Sequence, residues 1–277
     1  MTFCTRNDLE SMNKISEHAQ MEAVPVPELH IRHCDSFEEL DACVALQMAT
    51  WGYDPMDVIP RRMFVVAQRI GGQVIGAFAP DGSLAGFALA LPAVRDGMTF
   101  LHSHMLAVRP ELRNAGLGRR LKLAQRDDAL ARGILLMEWT FDPLEIKNAF
   151  FNIEKLGAVT RSYTRNFYGV SSARIQGGRP TDRLHAEWWL ESERVTEAVA
   201  GRRAPRGPVE LRIQLPHQVM QWKESAEGAE QAAAVQSENY ERFADAFQQG
   251  LVVTGFSRDP QGNGYFELSR WSPAAAR

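Results

Sequence analysis

The sequence predicts a mixed α/β fold, a sheet of about six or seven strands with helices on its faces, and three observations carry that expectation. Asp81-Gly82 sits between two apolar runs, where a tight hairpin needs a backbone that tolerates positive φ. Hydrophobic spacing then changes from two to about 3.6 across a glycine loop at 113–118, as it does when a strand gives way to a helix. A further apolar strand and a further helical stretch closed by Gly157 follow, which is the alternation of a layered α/β domain.

Taken in order, residues 1–27 are polar and end in Pro25-Val26-Pro27, a tail on a stiff link. A short strand at 29–33 precedes Ser36 and Glu39, a capping box that opens a helix over 37–50 with Leu40, Val44 and Met48 as its core stripe. After a loop at 52–60 come a short helix or turn at 63–68 and strands over 73–79, 84–92 and 99–108. The next helix carries Leu117, Leu121, Ala124 and Ala131 on one face and stops at Gly133. A strand over 134–141, a helix over 144–156 and strands over 159–168 and 183–190 complete a domain spanning 28–191. Gly201, Pro205 and Pro208 among charges make 192–208 a linker. In 209–270, Val209, Leu211, Ile213 and Leu215 alternate with polar residues. A helix with Val235, Tyr240, Phe243 and Phe247 follows, then two strands joined across 259–262, giving a β-α-β-β unit.

Composition narrows the function. Of 277 residues, 45% are apolar and 23% charged, ordinary for a soluble globular protein. A net charge of −3 argues against a general nucleic-acid binder, which meets phosphate with an excess of Lys and Arg. Cys4, Cys34 and Cys43 lack CxxC spacing and any neighbouring histidine pattern, so they read as buried or idle thiols in a reducing compartment, with no metal site. No stretch approaches the roughly 20 apolar residues of a membrane span, and Asp8, Glu10 and Glu17 stand where a signal peptide keeps its apolar core. The expectation is a cytoplasmic protein that binds no membrane.

The chemistry concentrates in Arg113-Asn114-Ala115-Gly116-Leu117-Gly118, an R-x-x-G-x-G loop between a strand and a helix. Glycines leave backbone N–H groups bare, and the helix N-terminus adds roughly half a positive charge, so a diphosphate can rest against it. Arg109, Arg119, Arg120 and Lys122 flank the loop; the plain alternative is a glycine turn with solvated arginines. The loop lacks the G-x-x-x-x-G-K-S/T form of a nucleotide cradle.

With Met105-Leu106-Ala107-Val108 before it, this loop resembles the coenzyme A pyrophosphate loop of the GNAT acetyltransferase superfamily, and the resemblance runs from about residue 29 to 190. Asp142-Pro143-Leu144, Asn148-Ala149, Phe151-Asn152 and Lys155-Leu156-Gly157 resemble a little-characterised branch of acyltransferases within it. The resemblance implies a GNAT-like acyl-CoA N-acyltransferase fold with the β-α-β-β unit appended. It also implies acetyl-CoA, or another acyl-CoA, as cofactor and direct attack by a small-molecule amine through a tetrahedral intermediate. Backbone groups of Leu106 and Val108 would hold the pantetheine arm, and Arg113, Asn114, Ala115, Gly116, Leu117, Gly118 and Arg119 the phosphates.

The family's general base often stands six residues before the valine that precedes the loop, which here is His102; His104 shares its face of the strand. Imidazole titrates near pH 6.5, which suits the role, although both histidines also read as hydrogen-bonded sheet residues. Where the family places a helix tyrosine as general acid this chain has Ile153, which leaves Tyr163 and Tyr168 as candidates. Asn148 and Asn152, four apart on one helix face, could reach the cofactor arm or the substrate, and Glu138 and Asp142 could serve as base or substrate contact. A homodimer is left open as an assembly. A catalytically silent CoA-binding or scaffold module is the competing expectation.

Overall fold

A computed structural model describes residues 28–169 and 179–273; the expected tail at 1–27, with Cys4 in it, lies outside the described residues. The chain first lays down β1 (His30–His33), α1 (Phe37–Trp51), α2 (Arg61–Arg69), β2 (Gln73–Phe78), β3 (Leu84–Arg95) and β4 (Met98–Val108). Next come α3 (Leu117–Ala131), β5 (Leu136–Phe141) and α4 (Ile146–Phe150), the last running into a π-helical turn at Phe151–Lys155, then β6 (Val159–Thr164), β7 (Arg183–Trp189) and α5 (Glu193–Val199). The remainder is β8 (Leu211–Leu215), α6 (Val219–Glu224), α7 (Ala229–Gln248), β9 (Val252–Arg258) and β10 (Gly264–Ser269). All ten strands belong to one mixed sheet in the order β1-β2-β3-β4-β5-β7-β6-β9-β10-β8.

The local signals act as their chemistry requires. Ser36 Oγ accepts the Glu39 N–H at 3.2 Å, and the Glu39 carboxylate accepts the Asp35 N–H at 2.7 Å, so the first turn of α1 is capped from both sides. Gly82 takes φ 83°, and Ala79 N–H donates to Ser83 O at 2.9 Å, closing the β2–β3 hairpin. Core stripes differ from expectation by a fraction of a turn. In α1 the buried positions are Leu40, Cys43, Leu46 and Gln47, while Met48 is 45% exposed, because the sheet-facing side follows 40, 43, 47 rather than 40, 44, 48. Gln47 uses its burial well: its amide bonds both backbone groups of Ile59, at 2.6 and 3.1 Å, and pins the 52–60 loop. In α3, Gln125 and Ala129 continue the buried face of Leu117 and Leu121, and Ala131 is exposed.

Two expected boundaries move. The strand expected over 159–168 ends at Thr164, since Asn166 turns to φ 47° and donates its N–H to Asp182 Oδ1 at 2.9 Å. Residues 192–208 carry α5, capped by Ser192, and Arg194 is buried with its guanidinium donating to the carbonyls of Gly157, Pro205 and Ile153 at 2.9, 3.1 and 3.2 Å. Gly157 is required there twice over: its φ is +76°, and a Cβ would meet Arg194 O at 2.9 Å. The C-terminal unit, with two helices, α6 and α7, where the β-α-β-β expectation had one, joins the same sheet where Thr160 of β6 meets Val253 of β9. Ile153, Trp188, Phe243 and Phe266 then lie in one continuous hydrophobic core.

The feature that makes a site is a break in pairing. Opposite Leu89 and Ala90 of β3, β4 presents Met105 and Ser103, so His104 is an extra residue, a β-bulge that bends the strand. Parallel pairing of β4 with β5 covers only Leu101↔Met137 and His102↔Glu138, while β5 stays with β7 out to Phe141↔Leu184. The two strands part beyond the bulge, and a cleft opens between them.

Candidate functional site

That cleft holds a cavity of about 450 Å³ whose walls include Ser103, His104, Met105 and Leu106 of β4, Lys122 of α3 and Trp139 of β5. It is also lined by Trp51, Tyr53, Asn148, Tyr168 and Arg183, with Trp51 stacked on Tyr53 at 5.7 Å between ring centroids. The edge of β4 facing it has a definite polarity. Arg109 N–H donates to Ala85 O at 2.9 Å, so the bonded pairs with β3 fall on Arg109, Ala107 and Met105. Hydrogen-bonded and open residues alternate along an antiparallel strand, so the backbone groups of Leu106 and Val108 point into the cleft, where β5 no longer meets them.

Val108 leads directly to the glycine loop. Asn114 and Gly116 take φ 62° and 81°, Gly116 caps α3 without any side-chain bond, and residues 113–116 are exposed. A Cβ at Gly116 would meet no atom within 4 Å, and one at Gly118 would come 3.6 Å from Leu106 Cδ2. The amides at the mouth of α3 are therefore uncovered, and the first turn of the helix lies against the same strand that lines the cleft. Diphosphate fits such a nest, and an extended amide-bearing arm fits the open edge beside it. Arg113 Nε reaches Val108 O at 3.4 Å, at the junction of the two. Arg119 turns elsewhere and donates to Val199 O at the end of α5; Arg120 donates to Leu29 O at 2.8 Å.

The sequence-derived catalytic residues separate. His104, in the bulge, lines the cavity; His102 does not, although their rings lie 6.0 Å apart. Burial lowers the His104 pKa, and burial, then repulsion from His104 and Lys122, lowers that of His102 to about 4, so His102 is neutral at physiological pH. Tyr163 stands away from the cleft: its hydroxyl donates to Asp182 Oδ2 at 2.8 Å and its ring packs on Tyr240 of α7 at 5.2 Å. Burial and that carboxylate raise its pKa, which opposes release of its proton. Ile153 is fully buried in the core. Tyr168 does line the cavity, with its hydroxyl 3.1 Å from Thr140 Oγ1.

The carboxylates are committed. Glu138 is held bidentately by Arg95, and Asp142 Oδ2 accepts from Lys223 Nζ of α6 at 2.7 Å, with Glu145 on the same ammonium. Asn152 is buried, accepts Trp139 Nε1 at 3.2 Å and donates to Asn148 Oδ1 at 3.2 Å, which leaves the Asn148 amide nitrogen for a ligand. Trp188 is core and donates to Leu156 O at 2.6 Å, while Trp189 is half-buried.

One cavity residue stood among the loop's cations in the sequence and turns out to serve elsewhere. Lys122 is 3% exposed, donates to Ser103 Oγ at 2.7 Å and lies 3.8 Å over the Trp139 ring. Ser103 in turn donates to Gln125 Oε1 at 2.9 Å. Burial lowers the Lys122 pKa to about 7. Cys34 and Cys43 are buried with their sulfurs 3.9 Å apart, and neither lines this cavity. Among the described residues no group of His, Cys, Asp and Glu is arranged to hold a metal, and no helix is long and apolar enough to cross a membrane.

No family model matches the chain, and no curated protein sequence matches it. Solved structures are similar to it. A GNAT-family protein from Desulfovibrio desulfuricans is 16% identical and covers 58% of this chain and 99% of its own, with a TM-score of 0.48. The ribosomal-protein-S18-alanine N-acetyltransferase of Escherichia coli is 16% identical over 66% of this chain and 98% of its own, with a TM-score of 0.46. The yncA protein of Salmonella typhimurium, solved with its cofactor acetyl-CoA, is 18% identical over 65% and 99%, with a TM-score of 0.48.

Proposed function

We propose that this chain is a GNAT-type acyltransferase that moves an acyl group, in the first instance acetyl, from acyl-CoA to the amine of a small molecule. The observation that carries the reading is the continuity of two backbone surfaces: the uncovered amides at 113–118 and the open β4 edge at Leu106 and Val108. The loop amides and Arg113 would hold the pyrophosphate, with each charged hydrogen bond contributing about 1.5–3 kcal/mol. Leu106 and Val108 would pair with the pantetheine arm, and a β4 N–H would donate to the acyl oxygen as it gains charge, a contact worth about 2.7–4 kcal/mol.

When bound, the cofactor supplies an activated acyl group; this chain supplies position and proton traffic. His104 is the base we assign to the acceptor amine, ahead of His102, because it stands in the cavity wall and His102 does not; burial lowers its pKa, which favours the proton-accepting form. Trp51, Tyr53 and Tyr168 would wall the acceptor side. The test is calorimetry with CoA, followed by thiol release from acetyl-CoA across an amine panel. Absence of CoA binding overturns the proposal. The second reading, a silent CoA-binding module, draws on the burial of Ile153 and the diversion of Tyr163, and it predicts CoA binding with no amine-dependent thiol release.

A further inference from the structure

The leaving thiolate of CoA needs a proton, and the two phenols considered for it fare poorly or stand on the acceptor side. Of the two buried lysines among the described residues, Lys223 is paired with two carboxylates, whereas Lys122 makes no ion pair. A buried ammonium without a counter-ion is costly, and cavities that keep one generally meet an anion there. The location says which anion. An arm anchored at the 113–118 loop would run along β4 from Val108 through Leu106 towards His104, about 13 Å at about 3.3 Å per residue. Its sulfur end would then reach the stretch where Ser103 Oγ accepts from Lys122 Nζ at 2.7 Å.

We propose that Lys122 is the general acid of the transfer, the residue that protonates the departing CoA sulfur; this rests on the acyltransferase reading above. The acceptor nitrogen bonds to the acyl carbon and the carbonyl electron pair moves to oxygen; when the tetrahedral adduct collapses, the carbonyl re-forms, the carbon–sulfur bond breaks and its electron pair goes to sulfur. The proton passes from Lys122 Nζ to that sulfur; the neutral Lys122 amine regains one from solvent, to which His104 gives up the proton it took from the acceptor nitrogen. Net, amine and thioester become amide and thiol. Ser103 Oγ orients the ammonium and is itself fixed by Gln125 Oε1, while the Trp139 face stabilises the charge without taking its proton. The other titratable groups lining this cavity are His104 on β4, Tyr53, Asp57, Tyr168, Arg183, and Asp142 and Glu145, the last two already bound by Lys223, with His102 beside it. Near-neutral titration of the free amine leaves its ammonium acidic enough to give up a proton at physiological pH.

The full chain is titrated with CoA bound, following thiolate absorbance in the ultraviolet, alongside Lys122→Met. Affinities for CoA and for desulfo-CoA, which lacks the thiol, are measured in parallel. Expected is a bound thiol that ionises at least about one pH unit lower in the parent than in the variant. The variant should lose affinity for CoA about tenfold more than for desulfo-CoA. With a working acceptor, turnover falls and the alkaline limb of the pH profile moves. Lys122→Gln repeats the comparison if the Met variant does not fold. Equal thiol titration in parent and variants, with equal losses for both ligands, overturns the role of Lys122 and leaves CoA binding standing. Failure of the parent to bind either ligand overturns the acyltransferase reading itself.

Discussion

The α3 wall of the cavity and the C-terminal unit each hold a buried lysine, in different company. Lys223 comes from α6 and grips Asp142 and Glu145 at the end of β5, so its charge is matched and its work is structural. Lys122 has a hydroxyl and an indole face, and no carboxylate. The same side chain is thus a clamp where anions come from the chain itself and a standing cost where the anion must come from a ligand. Stability and catalysis should respond to the two in opposite directions.

The contrast is broken most forcefully at Lys223. Lys223→Met leaves two carboxylates facing each other and should destabilise the fold by about 3 kcal/mol, at the low end for a buried pair because Asp142 and Glu145 keep some solvent. Denaturant unfolding measures it. Next in size is His104→Ala, expected to lower turnover about a hundredfold, with His102→Ala much milder because its ring lies outside the cavity wall. Steady-state kinetics with any accepted amine ranks the two, and equal losses would restore His102 to the base position.

Lys122→Met should do the reverse of Lys223→Met and stabilise the fold by about 2 kcal/mol at neutral pH. The folded pKa of Lys122, about 7, lies below the roughly 10.4 of an unfolded lysine, so between these values the unfolded state binds more protons. The parent's stability therefore falls as pH drops from about 10 to 7, and the variant's advantage should grow over that window and level off below it. Thermal melts at several pH values test this. Last, Gly116→Asp puts a carboxylate and a Cβ before the loop amides at φ 81° and should weaken CoA binding at least about tenfold, or about 1.4 kcal/mol, by calorimetry.

The loop was legible because its properties are local: glycine alone makes positive φ cheap and leaves amides bare, wherever the rest of the chain goes. The hairpin at Asp81-Gly82 and the Ser36 cap were legible for the same reason. Lys122 was counted with the loop's arginines, though it lies four residues past Gly118, one helical turn further on, where the helix already faces the sheet. The spacing of Lys122, Gln125 and Ala129 beside the Leu117–Leu121 stripe was the available signal, a polar pair inside a buried face. Tyr163 misled because strand alternation cannot say which distant helix will cover a face; α7 does, some 80 residues later, and Asp182 takes its proton-bearing oxygen. The bulge at His104 had no local mark either, since register is settled only by two strands together.

The ten-stranded sheet ends on its two shortest members, β1 with 4 residues and β8 with 5. Longer edges expose rows of unpaired amides and carbonyls that recruit strands from other molecules. By carrying β6 onward into β9, β10 and β8, the C-terminal unit replaces one six-residue edge with a shorter one. Cutting the chain after β7 would uncover β6, and the expected outcome is aggregation into insoluble, cross-strand assemblies.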